Sequence, residues 1–150
     1  MGEIILLDKD QILTSAMECA RENSRETAMI LEGSRTGKVI ALEKSLNIQP
    51  YIMWQSEEKL KLEPHFLLGA LRATQKSQIP FIFLHTHPNQ KHLHFSELDK
   101  SFELDMMMLA TQIEYQEPLV FLVSSADSTI ARYYWHGTEN YASIERTLDL

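Results

Sequence analysis

Short apolar runs alternate with longer segments of helical spacing along the chain. The short runs combine β-branched and aromatic residues and are bounded by charged residues, glycine or proline, which is typical of buried strands. The run that follows Glu26 is predicted to end in a turn at Gly33. The predicted strands are Glu3 to Leu7, Glu26 to Glu32, Lys38 to Leu46, Tyr51 to Trp54, Phe81 to Leu84, Leu119 to Val123 and Thr129 to Trp135.

Three segments carry apolar residues three and four positions apart, the spacing of an amphipathic helix. The first follows Asp8, which can cap it, and the second begins at Pro64, a residue suited to a first helical turn. The third begins at Ser96 and stops before Pro118, and a short terminal helix is predicted around Ile144. The apolar positions are Ile12, Ala16, Met17 and Ala20 in the first helix, Leu67, Leu68 and Leu71 in the second, and Leu98, Phe102, Met106, Leu109 and Ile113 in the third.

Composition restricts the class of protein. The 150 residues suit one domain spanning residues 1–150 and are too few for a (β/α)₈ barrel, which needs about 250. With 14 basic and 21 acidic residues the formal net charge is -7, which disfavours a nucleic-acid backbone or an anionic membrane as partner. We therefore expect neither nucleic-acid nor membrane binding, and the sequence leaves the oligomeric state open.

Cysteine content and hydropathy bear on location and on metal chemistry. Cys19 is the only cysteine, so the chain forms no internal disulfide and holds no thiolate-cluster metal site. No run approaches the roughly 20 apolar residues that span a bilayer, and the N-terminus lacks the pattern of a signal peptide. A cytoplasmic location is predicted, and any metal would need histidine and carboxylate ligands.

Such ligands are concentrated in FLHTHPNQKHLHFSELD, from Phe83 to Asp99. On a strand, His85 and His87 point to the same face, and Pro88 ends the pairing. After a seven-residue loop, Ser96 and Asp99 share the first turn of a helix. If that turn faces the strand end, two imidazoles and a carboxylate meet there. This set, with a fourth position left for water, describes a catalytic zinc site.

Each part of this pattern also has a structural interpretation. A single His-x-His pair is common, and Ser-x-x-Asp before an apolar run is an ordinary helix capping box. Joined in one order, the two weak signals are more specific than either. His92 and His94 lie in the loop and are predicted to be exposed, while His65 and His136 belong to no motif.

The combined pattern resembles the JAMM signature of the JAB/MPN metallopeptidases, in which a distant glutamate precedes H-x-H-P, a loop and S-x-x-D. The matching residues are His85, His87 and Pro88 in HTHP, and Ser96 and Asp99 in SELD. Upstream, ETAMILEG places Glu26 and Gly33 at the family's spacing. Glu32 and Glu43 are weaker candidates for the glutamate.

The resemblance implies a role for each of these residues. His85, His87 and Asp99 would hold one Zn²⁺ per chain. Glu26 would take a proton from the attacking water and pass it to the leaving nitrogen, as general base and then general acid. Ser96 would donate a hydrogen bond to the developing oxyanion.

The resemblance also implies an α/β fold and an activity. The expected fold is a JAB/MPN, cytidine-deaminase-like, three-layer arrangement in which a central mixed, mostly antiparallel sheet is flanked by three main helices. The expected activity is that of a bacterial stand-alone, zinc-dependent (iso)peptidase, which cleaves after the C-terminal tail of a ubiquitin-like protein in a conjugation or antiphage defence system. A zinc amidase for small molecules or short peptides, and a non-catalytic MPN scaffold, are the alternatives.

Overall fold

A computed structural model describes residues 3–48, 52–55, 60–88, 90 and 92–147. Within these residues the chain forms nine strands and three helices. The strands are β1 (Ile5–Leu7), β2 (Ala28–Thr36), β3 (Val39–Asn47), β4 (Ile52–Gln55), β5 (Leu60–Leu62), β6 (Phe81–Thr86), β7 (Leu119–Ser124), β8 (Thr129–Trp135) and β9 (Thr138–Glu145). The helices are α1 (Ile12–Glu22), α2 (Pro64–Ser77) and α3 (Glu97–Gln112).

The main sheet closes on itself to form a barrel. The prediction of a three-layer JAB/MPN fold, with a central sheet flanked by helices, is therefore wrong. Seven strands form a closed mixed barrel in the order β1-β3-β2-β6-β7-β8-β9, while β4 and β5 make a separate two-stranded sheet. The closing contact is the parallel pairing of β1 with β9, in which Leu6 lies opposite Ile144. The three helices were expected; the closure was not.

The closing strand occupies the segment for which a short terminal helix was predicted. Thr138–Glu145 is β9, paired antiparallel with β8 and parallel with β1. His136 and Gly137 join β8 to β9 with φ values of 51° and 74°, the two positive values that a tight type I′ hairpin turn requires. Ala142 and Ile144 pack against the core from alternate positions, as a strand places them.

Gly33 also differs from its predicted role, because it lies inside β2 rather than in a turn after it. The register between β2 and β3 shifts between Glu32 and Gly33, which marks a bulge. The actual turn follows Thr36 and places Gly37 at a φ of 61°. The strand therefore continues to Thr36, longer than its apolar run indicates.

Two hydrophobic clusters lie against the barrel strands. The first joins Leu13 and Ala16 of α1 to barrel residues such as Leu31 and Leu84. The second joins α2 and α3 to Phe81, Phe83 and Phe121, which belong to β6 and β7, and to further barrel residues. Alternate residues of the same strands thus contact α1 or the other two helices, so β6 and β7 are buried throughout.

The helix boundaries follow local capping chemistry, as the sequence predicted. Asp8 accepts hydrogen bonds from the backbone N–H groups of Ile12 and Leu13 at 2.7 and 3.1 Å, which caps α1. Pro64 opens α2, and Ser96 caps α3. The buried face of α3 is rotated from the predicted one, because it carries Asp99, Glu103, Met106 and Ala110, whereas Leu98 is 58% exposed.

None of the helices in the described part of the chain has the length and apolar character needed to cross a bilayer.

Candidate metal centre

Three elements bring the predicted site residues together. β6 ends in His85 and Thr86, with His87 directly after it. Ala28 lies opposite His85 in the antiparallel pairing of β2 with β6, and continuing this register by two residues places Glu26 opposite His87. Cross-strand neighbours have side chains on the same face, so Glu26 lies beside the imidazole pair. Asp99 reaches the pair from the first turn of α3.

The ligand atoms converge on one point. The Nε2 atoms of His85 and His87 lie 2.9 Å apart. Asp99 Oδ1 is 2.7 Å from His85 Nε2, and Asp99 Oδ2 is 3.3 Å from His87 Nε2. Glu26 Oε1 lies 3.5 Å from His87 Nε2. All four side chains are buried, with residue exposures between 4% and 8%.

The imidazole nitrogens and carboxylate oxygens of this group are buried and so close together that a positively charged species must lie among them. Two neutral imidazole nitrogens repel through their lone pairs, and two carboxylates repel through their charges, unless a proton or a metal ion lies among them. Without a metal, the proton takes this place. Burial lowers the pKa of His87, but hydrogen bonds to Asp99 and Gln90 and the nearby charges of Asp99 and Glu26 together outweigh burial and raise this pKa above its usual value.

The pKa of Asp99 complements that of His87. Burial alone would raise the pKa of this carboxyl, but hydrogen bonds from His85 and His87 and from the Ser96 backbone hold it far below its usual range. The charges of the site are therefore arranged for a cation. A metal ion that binds here displaces the shared proton, since histidine coordinates in its neutral form.

The donor set fits a metal ion. Glu26, His85 and His87 offer one ligand atom each, and these atoms all lie within 4.8 Å of one another, so the group could hold a metal ion. Asp99 contacts both imidazoles and supplies a fourth candidate ligand. The Nε2 atoms of His85 and His87 lie against each other and against the Asp99 carboxylate, so they are the ones presented to an ion. The Nδ1 atoms are buried and have no hydrogen-bond partner among the described residues.

Ser96 stands at the edge of this group and has the two bonds of a capping box. Its backbone N–H donates to Asp99 Oδ2 at 2.7 Å, and its Oγ accepts from the Asp99 N–H at 3.1 Å. The structural interpretation of Ser-x-x-Asp is therefore correct, and the capping box is compatible with metal binding because Asp99 Oδ1 stays directed at His85. A hydroxyl that accepts one hydrogen bond retains its hydrogen as a donor.

The other candidates lie outside the group. Glu32 pairs with Lys44 at 3.4 Å on the surface, and Glu43 is exposed. His92 and His94 are exposed, and the His94 ring contacts the His92 carbonyl oxygen rather than the site. His65 and His136 are also exposed.

Sequence analysis missed several polar residues near the site. Thr86 is fully buried, and its Oγ accepts a hydrogen bond from the Thr27 backbone N–H. Glu103, one turn beyond Asp99 on α3, forms a buried ion pair with Arg132 at 2.7 Å. The four-residue spacing of Asp99 and Glu103 indicates that both lie on one helical face. This signal was missed because the apolar residues of the same segment were used to predict the buried face.

A cleft lies beside the segment that leads from α1 into β2. It has a volume of about 760 Å³ and is lined by the end of α1, the loop that follows it, and parts of β2 and β3. Arg25 and Thr27, the immediate neighbours of Glu26, are among its lining residues.

Comparison with known proteins adds information on the fold. No protein family model matches the sequence, and no curated protein matches it. Among solved structures, the chain is similar to protein DSY2949 of Desulfitobacterium hafniense, known from a solution structure, with a TM-score of 0.61 and 19% sequence identity. The similarity covers 94% of this chain and 91% of that one, so the two proteins share a fold over nearly their whole length.

Proposed function

We propose that this chain is a zinc-dependent peptidase or isopeptidase that hydrolyses the amide bond after the C-terminal tail of a ubiquitin-like protein. The observation that carries the proposal is the buried group formed by Glu26, His85, His87 and Asp99. Each of these side chains has a nitrogen or oxygen atom within 3.5 Å of such an atom of another member. These residues also stand in the order of the JAMM signature. With the fold corrected, the resemblance to that family is supported by these motif residues and not by the architecture.

In this proposal His85, His87 and Asp99 would hold one Zn²⁺ per chain. A zinc ion held there would supply Lewis-acid chemistry, with the pKa of a bound water lowered to roughly 7 and a carbonyl polarised. Glu26 lies on the His87 side of the group and takes the proton from the attacking water. It then delivers this proton to the departing nitrogen, so one carboxylate serves as general base and general acid.

Ser96 orients the site and stabilises charge. Its backbone N–H fixes Asp99 Oδ2, so that Oδ1 remains directed at His85. Because Ser96 Oγ accepts from the helix N–H, its hydroxyl hydrogen is available to the oxyanion that forms when the carbonyl is attacked. Removing one donor of this kind costs on the order of 10²- to 10³-fold in turnover.

Two features favour an extended tail as the substrate. The cleft beside the segment from α1 into β2 has a volume of about 760 Å³, which can hold several residues of a chain. Its lining includes Asn23, Ser24 and Ser45, whose small polar side chains can hydrogen-bond to a peptide backbone. The proposed setting is the cytoplasm, where the single Cys19 needs no disulfide partner.

The test separates metal binding from chemistry. Purified protein should contain one zinc per chain by elemental analysis and should cleave at least one member of a panel of ubiquitin-like fusions. Glu26→Gln should keep its zinc but lose about 10²- to 10⁴-fold in turnover, because the proton acceptor is gone. His87→Ala should lose both zinc and turnover. Glu32→Gln, at a partly exposed acid of β2 that pairs with Lys44 outside the site, is the matched control and should behave as wild type.

The remaining outcomes identify the competing functions. Cleavage of small amides but of no fusion would replace the proposal by a small-molecule amidase. Equal turnover in wild type and Glu26→Gln would indicate a non-catalytic scaffold. Protein that neither contains nor takes up zinc would contradict the proposal at its first step.

A further inference from the structure

Thr86 stands between the two histidines and points away from them, and it is fully buried, with an exposure of 0%. A buried hydroxyl needs a hydrogen-bond partner. Its partner is the backbone of Thr27, the residue after Glu26: the Thr27 N–H donates to Thr86 Oγ at 2.9 Å. The hydroxyl thus connects the histidine strand to the neighbour of the proposed catalytic glutamate.

This bond replaces half of a normal strand pair. In an antiparallel ladder, two residues of a hydrogen-bonded pair exchange both N–H and carbonyl groups. The Thr86 N–H donates to the Thr27 carbonyl at 2.8 Å, which is one half. In the other half, the Thr27 N–H donates to the side-chain hydroxyl of Thr86, whereas in a regular pair it would donate to the Thr86 carbonyl. The pairing of β2 and β6 therefore extends one residue beyond the last regular pair, Ala28 with His85.

The strand end on the β6 side has independent support. The His87 N–H donates to the Ser124 carbonyl of β7 at 2.8 Å. Both imidazoles are therefore held by backbone bonds that do not involve the Thr86 hydroxyl. On the β2 side, the Thr27 N–H bond to that hydroxyl lies one residue from Glu26. Loss of the hydroxyl would remove one of the two bonds between Thr27 and Thr86, which loosens the Glu26 side of the site, and would leave the imidazole side in place.

We propose that Thr86 is a positioning residue, whose hydroxyl fixes the Glu26 carboxylate relative to the imidazole pair through the Thr27 backbone. This inference rests on the proposed function, because it assigns Glu26 the proton transfer. It explains a buried hydroxyl that the ligand set itself does not use. Thr86 acts through Glu26 and touches neither metal nor substrate.

Two variants of Thr86 test the inference. Thr86→Val keeps the branched shape and removes the hydroxyl, whereas Thr86→Ser keeps the hydroxyl. In Thr86→Val, amide hydrogen exchange at Thr27 should accelerate about tenfold or more. Its kcat should fall about 10- to 100-fold, because a small displacement of a catalytic group has effects of this size. Its KM and its zinc affinity in a chelator competition should stay at wild-type values, and Thr86→Ser should restore both kcat and the Thr27 protection.

Thr74→Val is the matched control. Thr74 is also a buried threonine, but it lies on α2, where its Oγ accepts from the Tyr115 hydroxyl at 2.7 Å. This variant should lose thermal stability and keep its kcat. If Thr74→Val lowers kcat as much as Thr86→Val does, the effect is general destabilisation, and the inference fails. It also fails if Thr86→Val leaves the Thr27 exchange rate and kcat unchanged.

The design distinguishes this failure from failure of the proposed function. Wild-type zinc-loaded protein without hydrolytic activity would contradict the function. The Thr27 exchange rates of the Thr86 variants would then still decide whether the hydroxyl holds this backbone. Active wild type with normal kcat in Thr86→Val would contradict the positioning role alone.

Discussion

Gly33 of β2 lies where the backbone of the neighbouring strand β3 leaves no room for a side chain. A Cβ added there would lie 2.7 Å from the Ala41 carbonyl oxygen and 3.1 Å from an Ile40 methyl group. Gly33→Ala should therefore destabilise the fold by about 1–3 kcal/mol, since the contact is with backbone that cannot move aside cheaply. Urea denaturation measures the free energy of unfolding.

Gly69 supplies the opposite case. It lies within α2, and an added Cβ would meet nothing within 4 Å. Gly69→Ala should stabilise the protein by about 0.5–1 kcal/mol, because alanine is the better helix former. Equal effects of the two substitutions would contradict the close approach at Gly33.

At the level of single residues, spacing predicted the parts of the site that lie close along the chain. His85 and His87 share a face because a strand alternates, and Ser96 and Asp99 interact because a helix begins there. The pairing of Glu26 with His87 depends on strand register, which no local pattern defines. Only the resemblance to a known motif pointed to Glu26. The role of Thr86 could not be predicted either, because its hydrogen bond to Thr27 also depends on the register between β2 and β6.

The helix α3 carries charge on the face that it buries. Asp99 and Glu103 lie one turn apart, and Glu103 binds Arg132 of β8 through two bonds of 2.8 and 2.7 Å. The Tyr134 hydroxyl donates to the same carboxylate at 2.8 Å. Burial raises the pKa of Tyr134, and the bond to Glu103 raises it further, so this hydroxyl stays protonated. The helix that presents Asp99 is thereby fastened to the barrel.

Removing one member of this pair should be costly. Arg132→Met would leave the Glu103 carboxylate buried without its partner, and the free energy of unfolding should fall by about 3–5 kcal/mol. The double variant Glu103→Leu with Arg132→Met should lose clearly less, because no charge remains buried. Lys44→Met removes a surface pair with Glu32 and should cost only about 0–1 kcal/mol. A loss in Arg132→Met no larger than in Lys44→Met would contradict a structural role for the buried pair.

Sequence patterns predicted helices and strands well where one face of the element is apolar. They predicted them poorly where buried residues are polar or where a strand is largely exposed. The predicted face of α3 followed its apolar residues, but the helix turns its acids inward to His85 and Arg132 and leaves Leu98 outside. In β9 the residues 138–141 are exposed, so the alternation that identifies a strand is weak. The missed signal was the His136-Gly137 pair, whose positive φ values form the hairpin.

At the scale of the whole molecule, the closure of the barrel was beyond the sequence patterns. It depends on β1, which has three residues, meeting β9 from the other end of the described chain. Such a contact joins segments that are far apart in sequence, and periodicity carries no information about it. The short helix predicted around Ile144 left out the strand that closes the sheet, and the three-layer arrangement was taken from the resemblance to the JAB/MPN family.

Amide hydrogen exchange can test the closure directly. The Ser143 N–H donates to the Ile4 carbonyl at 3.1 Å, and the Asp8 N–H donates to the Glu145 carbonyl at 2.7 Å, so both amides lie on the seam between β1 and β9. In a closed barrel they should exchange at least about 10³-fold more slowly than a free peptide, because exchange requires the seam to open. The Asp127 N–H, bonded only to the nearby Ser125 hydroxyl in a surface turn, is the control and should exchange quickly. Seam amides that exchange as fast as Asp127 would mean that β1 and β9 are free edges, and such edges would leave two strands open to pairing with other chains.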